Sequence, residues 1–285
     1  MQLDLVDVFG SVPLRGNPLA VVRGGEGLSD AQMLRLTQWL NFSETTFLLP
    51  PTDSRADYRV RIFYPGGELP FAGHPTLGSC HAWLEAGGVP HEDGVAIQQC
   101  GAGLVEVRRE GGALAFRAPP LIRTGPLDEE ELAEALRVSG VDRAQVIEAA
   151  HVANGPGWKM LRLGTAEAVL AAEPAPKAPL GTDVGLVGPH PAGSELGWEV
   201  RAFFADTHGR VKEDPVTGSF NAGVAVHLFE NGLAAGDYRA GQGQKVGAEG
   251  IVHCARDAEG AIWIGGRTAT VARGAALPEF EAFRP

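Results

Sequence analysis

The sequence predicts an α/β (α+β) protein built as two pseudo-symmetric domains, on three observations. Strand-like and helix-like stretches alternate along 285 residues, a length above the usual single-domain size. Gly73-His74 stands ten residues before Leu84 and the run Glu85-Ala86-Gly87, and Gly218-Ser219 stands ten residues before Phe229 and Glu230-Asn231-Gly232. At nearly the same offset, about half the chain, Gly103-Leu104-Val105-Glu106-Val107 is answered by Gly250-Ile251-Val252-His253-Cys254. A break at Arg117-Ala118-Pro119-Pro120 through Gly125-Pro126 sets the expected domains at 1–118 and 119–285, with the C-terminal tail free to return to the first. The cleft between two such halves is a natural small-molecule site.

The elements follow in order. Leu3–Phe9 and Leu19–Val22 have strand character, with a Gly/Pro-rich turn between them. Ser29 with Gln32 forms a capping-box pattern, and Met33, Leu36 and Leu40 share one face of the helix it opens. Asn41 to Leu49 is a turn into a strand, and Tyr58–Tyr64 alternates as a strand. Pro75 is expected at the first position of a helix whose C′ glycine is Gly87. Strands at Val95–Gln99, Leu104–Arg108 and Leu114–Arg117 close the first half. The second opens with an acidic helix, Asp128–Val138, followed by strands at Val146–Val152, Lys159–Leu163 and Val200–Ala205. A proline-started helix is expected after Asp214-Pro215, then strands at Gly250–Cys254 and Ala261–Ile264. The proline-rich stretch Glu173–Pro179 is a loop.

Composition narrows the function classes. Hydrophobic residues at 44% and charged residues at 21% are ordinary for a globular chain and too apolar for disorder. The 24 Lys+Arg against 35 Asp+Glu give −11, and without basic runs this argues against nucleic acid or an anionic membrane as partner. No apolar run approaches the roughly 18 residues of a membrane helix. The N-terminal MQLDLVDVFG lacks the basic segment of a signal peptide. Cys80, Cys100 and Cys254 are widely spaced without C-x-x-C, which fits buried thiols and a cytoplasmic chain better than disulfides or zinc.

Candidate chemistry concentrates at a few positions. Gly73 and Gly218 each let the backbone come close to a ligand, and each is followed by a residue, His74 or Ser219, placed to cap a helix. Helix N-termini present unpaired N–H groups and partial positive charge, which suit a carboxylate or an enolate. Ser219 could equally be an ordinary helix cap. Glu44, the only carboxylate between Asp30 and Asp53, lies between Phe42 and Phe47, where apolar surroundings disfavour its charged form. A solvated turn glutamate is the competing reading. Of Glu213 and Asp214, one is a candidate catalytic carboxylate and the other its solvated neighbour, unless Asp-Pro simply begins a turn. His74 can act as acid, base or donor, or be a satisfied structural group.

Other chemistries fail on pattern. There is no P-loop, no G-x-S-x-G elbow, and no histidine pair at metal spacing with a third ligand near it; Gly241-x-Gly243-x-x-x-Gly247 does not match a dinucleotide loop. No cysteine stands at either helix N-terminus, as a two-thiolate racemase would need. A proton shuttle using neither cofactor nor metal is left.

Three stretches resemble signatures of the phenazine biosynthesis PhzF-like family: Ser43-Glu44-Thr45-Thr46-Phe47, Glu68-Leu69-Pro70-Phe71-Ala72-Gly73-His74-Pro75-Thr76 and Glu213-Asp214-Pro215-Val216-Thr217-Gly218-Ser219. Asp7-Val8-Phe9 through Gly16-Asn17-Pro18, Asn154-Gly155-Pro156, Gln242-Gly243 and Gly265-Gly266 match in the same order. The resemblance implies a diaminopimelate-epimerase-like fold, each domain a mixed sheet or barrel around a central helix. It implies a cofactor-independent isomerase acting on a small carboxylate such as trans-2,3-dihydro-3-hydroxyanthranilate. In it Glu44 is the acid/base, and His74, Asp214 and Ser219 assist in proton handling and substrate binding. It also implies a homodimer. One departure stands out: family members often carry arginine after the last glycine of Gln-Gly-x-x-x-Gly, where this chain has Ala248-Glu249. Epimerisation at a single carbon and a non-catalytic binding module are the alternative functions.

Overall fold

A computed structural model of the chain describes residues 1–110 and 112–278. The chain divides into two compact units, Met1–Phe116 with the segment from Gly265 on, and Arg117–Ile264.

The first unit runs β1 (Gln2–Val8), β2 (Asn17–Arg23), α1 (Asp30–Leu40), β3 (Thr45–Leu49), β4 (Tyr58–Tyr64), β5 (Gly67–Leu69), α2 (Gly73–Glu85), β6 (Val95–Cys100), β7 (Gly103–Glu110) and β8 (Ala113–Arg117). The second holds α3 (Glu129–Ser139), β9 (Val146–His151), β10 (Lys159–Leu163), α4 (Ala166–Ala171), β11 (Asp183–Pro189), β12 (Trp198–Ala205), β13 (Val211–Glu213), α5 (Gly218–Glu230), β14 (Tyr238–Gln242), β15 (Gly250–Arg256) and β16 (Ile262–Gly266). β17 (Thr268–Ala276) pairs antiparallel with β1, so this strand returns to the first unit.

Both units repeat one connectivity. β2 pairs parallel with β3, β3 antiparallel with β4, β4 antiparallel with β5 and parallel with β6, and β6 antiparallel with β7. In the second unit β10, β11, β12, β13, β14 and β15 reproduce those five pairings in the same order and sense. The buried helices α2 and α5 hold equivalent places in this scheme, each entered from the short strand and left toward the parallel one.

α1 starts as its sequence dictates: Ser29 accepts from the Gln32 N–H while the Gln32 side chain accepts from the Ser29 N–H. Its Met33 and Leu36 pack on Val22, Phe47 and Phe63. α3 carries the same box at Asp128 and Glu131, and its Leu132, Ala135 and Val138 join Leu161, Leu163, Val184, Leu186 and Phe203 in the second unit's core. α2 and α5 are different, rich in small and apolar residues and buried along most of their length, as suits central helices. In α5 the close fit is extreme: a Cβ on Gly223 would stand 2.2 Å from the Val152 carbonyl oxygen.

The helix starts differ from expectation. Pro75 is the third residue of α2, not the first, because Gly73 and His74 already have helical backbone. Any of the first three positions lacks an intrahelical acceptor for its N–H, so proline is tolerated at each. Pro215 likewise lies in the loop before α5, which begins at Gly218. Gly87 does follow the α2 C-cap with φ of 94°, a left-handed backbone suited to glycine. β5, β11, β13, β14, β17 and α4 have no counterpart in the expected elements. No helix among the described residues is long and apolar enough to cross a membrane.

Candidate active site

In the first unit the turn after α1, closed by Asn41 in the left-handed region, delivers Glu44 immediately before β3. β3 is held between two helices: Phe47 belongs to the cluster under α1, while Thr46 accepts from Ser79 of α2 at 2.9 Å. The sheet-to-helix packing therefore fixes Glu44 against the start of α2. There Glu44 Oε2 lies 3.4 Å from Nε2 of His74, the carboxylate side chain 17% exposed and the imidazole 4%. That is ion-pair distance, without the alignment of a hydrogen bond.

His74 is neutral, and its tautomer follows from its other neighbour. The Asn17 amide nitrogen, a donor, stands 3.3 Å from Nδ1, so Nδ1 accepts and the ring proton sits on Nε2, the nitrogen nearer Glu44. Burial pushes the imidazole down to about 3, so the ring stays uncharged at neutral pH. Asn17 enters from the start of β2; sequence reasoning quoted it as a family match and gave it no role.

α2 begins without a side-chain cap, since its N-cap is Ala72. The first intrahelical bond runs from the Thr76 N–H to the Ala72 carbonyl at 3.2 Å, which leaves the N–H groups of Gly73 and His74 outside the ladder.

In the second unit Asp214 and Glu213 have different fates. Glu213 is not a solvated neighbour: Arg201 grips it with two bonds of 3.0 and 2.8 Å, and both side chains are buried. The same guanidinium donates to the carbonyls of Val169 and Ala172 at the end of α4. Arg61 grips Glu68 at the equivalent place in the first unit. Each of these arginines also stacks on the phenylalanine two residues on, Phe63 or Phe203. The repeated Arg-x-Phe ahead of a Glu-x-Pro, five residues before the helix glycine, was a readable signal for this pair of clamps.

Asp214 is 9% exposed; its N–H donates to the Ala202 carbonyl, and its Oδ2 accepts from the Thr217 hydroxyl at 2.7 Å. Ser219 is the second residue of α5, not the cap: the N-cap is Thr217, and it makes no side-chain cap bond. The first α5 bond, Asn221 N–H to Thr217 carbonyl at 3.0 Å, leaves Gly218 and Ser219 outside the ladder. Ser219 Oγ accepts from the Trp158 indole N–H at 3.0 Å, so its own hydroxyl proton is left to donate. Asn154 donates to the Ser219 carbonyl at 2.9 Å, as Asn17 tends the second residue of α2. Trp158 escaped the sequence reading because it meets the site only through the fold, while Thr217 and Gln242 stand within quoted family matches that gave them no role.

Ala248, where an arginine was noted as frequent, is buried and its N–H donates to the Gly243 carbonyl. Among the described residues no group of three or more His, Cys, Asp or Glu could hold a metal ion.

Three comparisons bear on this arrangement. A family model described as "Phenazine biosynthesis-like protein" matches residues 6–274. The trans-2,3-dihydro-3-hydroxyanthranilate isomerase of Pseudomonas fluorescens is 36% identical over 234 residues, 80% of each chain. "Antisense-enhancing sequence 1" of Schizosaccharomyces pombe is 33% identical across 94% of this chain and 96% of its own. Among solved structures, a predicted epimerase from Pseudomonas aeruginosa has a TM-score of 0.77 at 27% identity, covering 98% of this chain and all of that one.

Proposed function

The chain belongs to the phenazine biosynthesis-like protein family and is an isomerase, and on that premise we propose that it moves a proton within a small carboxylate-bearing substrate by acid/base catalysis at Glu44, without a cofactor. The observation that carries this reading is the closeness of Glu44 to a neutral, buried His74, with Oε2 and Nε2 3.4 Å apart. A neutral imidazole can orient a carboxylate without holding it permanently in an ion pair, so Glu44 keeps the capacity to take a proton from carbon and return it. The free N–H groups at Gly73-His74, beside Glu44, are assigned to anion binding in the first unit, and those at Gly218-Ser219 with the Ser219 hydroxyl to anion binding in the second. Asp214 is assigned to proton handling. Each well-placed donor of this kind contributes about 3–4 kcal/mol to a transition state that gains negative charge.

The substrate class is a carboxylate on a carbon skeleton whose proton is acidified by a neighbouring unsaturated system, of which trans-2,3-dihydro-3-hydroxyanthranilate is the first to test. Proton NMR in D₂O reads the reaction. With the wild-type protein the substrate signals vanish as deuterium enters the ring; with Glu44→Gln they persist while the fold is retained. A Glu44→Gln variant working near the wild-type rate would overturn the assignment. The likeness to a predicted epimerase favours one second reading, exchange at a single carbon. There the label returns to the carbon it left, whereas an isomerase places it elsewhere. A folded wild-type protein that exchanges no proton with any such carboxylate would favour a binding module.

A further inference from the structure

Gln242, at the end of β14, spends its whole side-chain amide on the one stretch from Asp214 to Asn221. Its Oε1 accepts from the Thr217 N–H at 3.0 Å and from Asn221 Nδ2 at 2.8 Å. Its Nε2 donates to Thr217 Oγ1 at 2.9 Å and to the Asp214 carbonyl at 3.2 Å. The orientation of the amide is forced, because turning it over would aim the NH₂ group at the Thr217 N–H, donor against donor.

That orientation decides the Thr217 hydroxyl. With Nε2 donating to its oxygen, the hydroxyl's own hydrogen has to go elsewhere, and Asp214 Oδ2 receives it at 2.7 Å. We propose that Thr217 is a positioning residue that aims the Asp214 carboxylate, and that Gln242 fixes the direction in which the Thr217 hydroxyl donates. An N-cap threonine ordinarily turns its oxygen to the N–H groups of its own helix. Here the oxygen is committed to Gln242 and Asp214, which is why α5 starts without a side-chain cap. The first unit reaches the same uncapped start by another route, since Ala72 has no hydroxyl to turn. There a buried strand glutamine, Gln98 on β6, bonds to Thr76 and Tyr58 instead.

The backbone supports the same assignment. Gly243, with φ of 99°, packs on the Asp214–Thr217 loop so closely that a Cβ there would stand 2.4 Å from the Pro215 carbonyl oxygen. β14 thus presses the Gln-Gly step directly onto the loop that carries Asp214, leaving Gln242 no other segment to serve.

This inference rests on the role proposed for Asp214, and its test separates the two. Crystal structures are determined for wild type, Thr217→Val and Thr217→Ser, and kcat and KM are measured with trans-2,3-dihydro-3-hydroxyanthranilate for these, Gln242→Met and Asp214→Asn. In Thr217→Val the Asp214 carboxylate leaves its wild-type rotamer and kcat falls roughly ten- to hundredfold, the rate equivalent of one hydrogen bond to a charged group, with KM nearly unchanged. Thr217→Ser, which keeps the hydroxyl, keeps both the rotamer and the rate. Gln242→Met loses at least as much kcat as Thr217→Val although Thr217 is intact. An unmoved carboxylate in Thr217→Val overturns the positioning role whatever the activity, and a wild-type rate in Gln242→Met overturns the part given to Gln242. Asp214→Asn turning over normally overturns the role of Asp214 itself and leaves the rotamer result standing. Should Thr217→Val not fold, Thr217→Ala carries the same comparison.

Discussion

Replacing Arg201 by methionine should unfold the second unit far more readily than replacing Arg61 unfolds the first, although the two arginines occupy equivalent strands. Arg201 makes four bonds, two to Glu213 and two to the carbonyls that end α4, and its side chain is 4% exposed against 7% for Glu213. Methionine fills the volume but leaves Glu213 charged, buried and unpaired, a situation that costs about 3–5 kcal/mol. Arg61 is 18% exposed and Glu68 41%, so water can take over when that pair is broken, and the loss there is about 1 kcal/mol or less. Urea unfolding followed by tryptophan fluorescence reads both, because Trp158, Trp198 and Trp263 lie in the second unit and Trp39 and Trp83 in the first. With a slope of about 2 kcal/mol per molar urea, Arg201→Met moves the second unit's midpoint down by roughly 1.5–2.5 M, while Arg61→Met moves the first unit's by about 0.5 M or less. Equal shifts in the two variants would refute the claim that burial, and not the ion pair as such, sets the cost.

Other expectations are briefer. Nitrogen NMR should find His74 protonated on Nε2 alone with no titration between pH 5 and 8; a charged ring in that range would contradict the assignment from Asn17. Because its folded-state value is depressed to about 3, the unfolded chain binds the extra proton first, so this group's contribution to stability is complete above pH 6.5 and declines as pH falls toward 3. Gly223→Ala pushes a methyl into the Val152 backbone and should cost about 3 kcal/mol or more, whereas Gly78→Ala meets mainly the movable end of Leu19 and should cost less in the same denaturation assay. A thiol reagent should find Cys80 and Cys254 silent in the native protein, since burial pushes both up to about 12, and only half-buried Cys100 able to react; three rapid equivalents before unfolding would be the contrary result.

What the sequence revealed tracks how local each cause is. Ser29 with Gln32 announces a helix start because both partners of the capping box lie within one turn. Tyr58–Tyr64 announces a strand because its two faces alternate. Glu44, His74, Asp214 and Ser219 were legible as candidates, His74 and Ser219 from their matched places in the two halves, Glu44 and Asp214 from their neighbours, and the family motifs gave each its role. The internal duplication showed as a fixed offset, yet its detail did not. β14, Tyr-Arg-Ala-Gly-Gln, has weak strand propensity and exists through its pairings with β12 and β15. Pro75 marked the first turn of α2 without marking which residue begins it. The residues that orient the site were hidden for a different reason. Asn17 reaches His74 across 57 residues, Trp158 reaches Ser219 across 61, and Gln242 reaches Thr217 across 25, and no periodicity records such partners.

The bare starts of α2 and α5 have a consequence for anyone who would make this protein sturdier. A helix without a capping side chain forgoes roughly 1 kcal/mol, so Ala72→Ser is the kind of change that a stability screen rewards. On the function proposed here the gain would be a trap, since the new hydroxyl would occupy the amides meant for the substrate. Selection for heat resistance and selection for turnover would then pull residue 72 in opposite directions, and a library sorted on both would leave alanine in place.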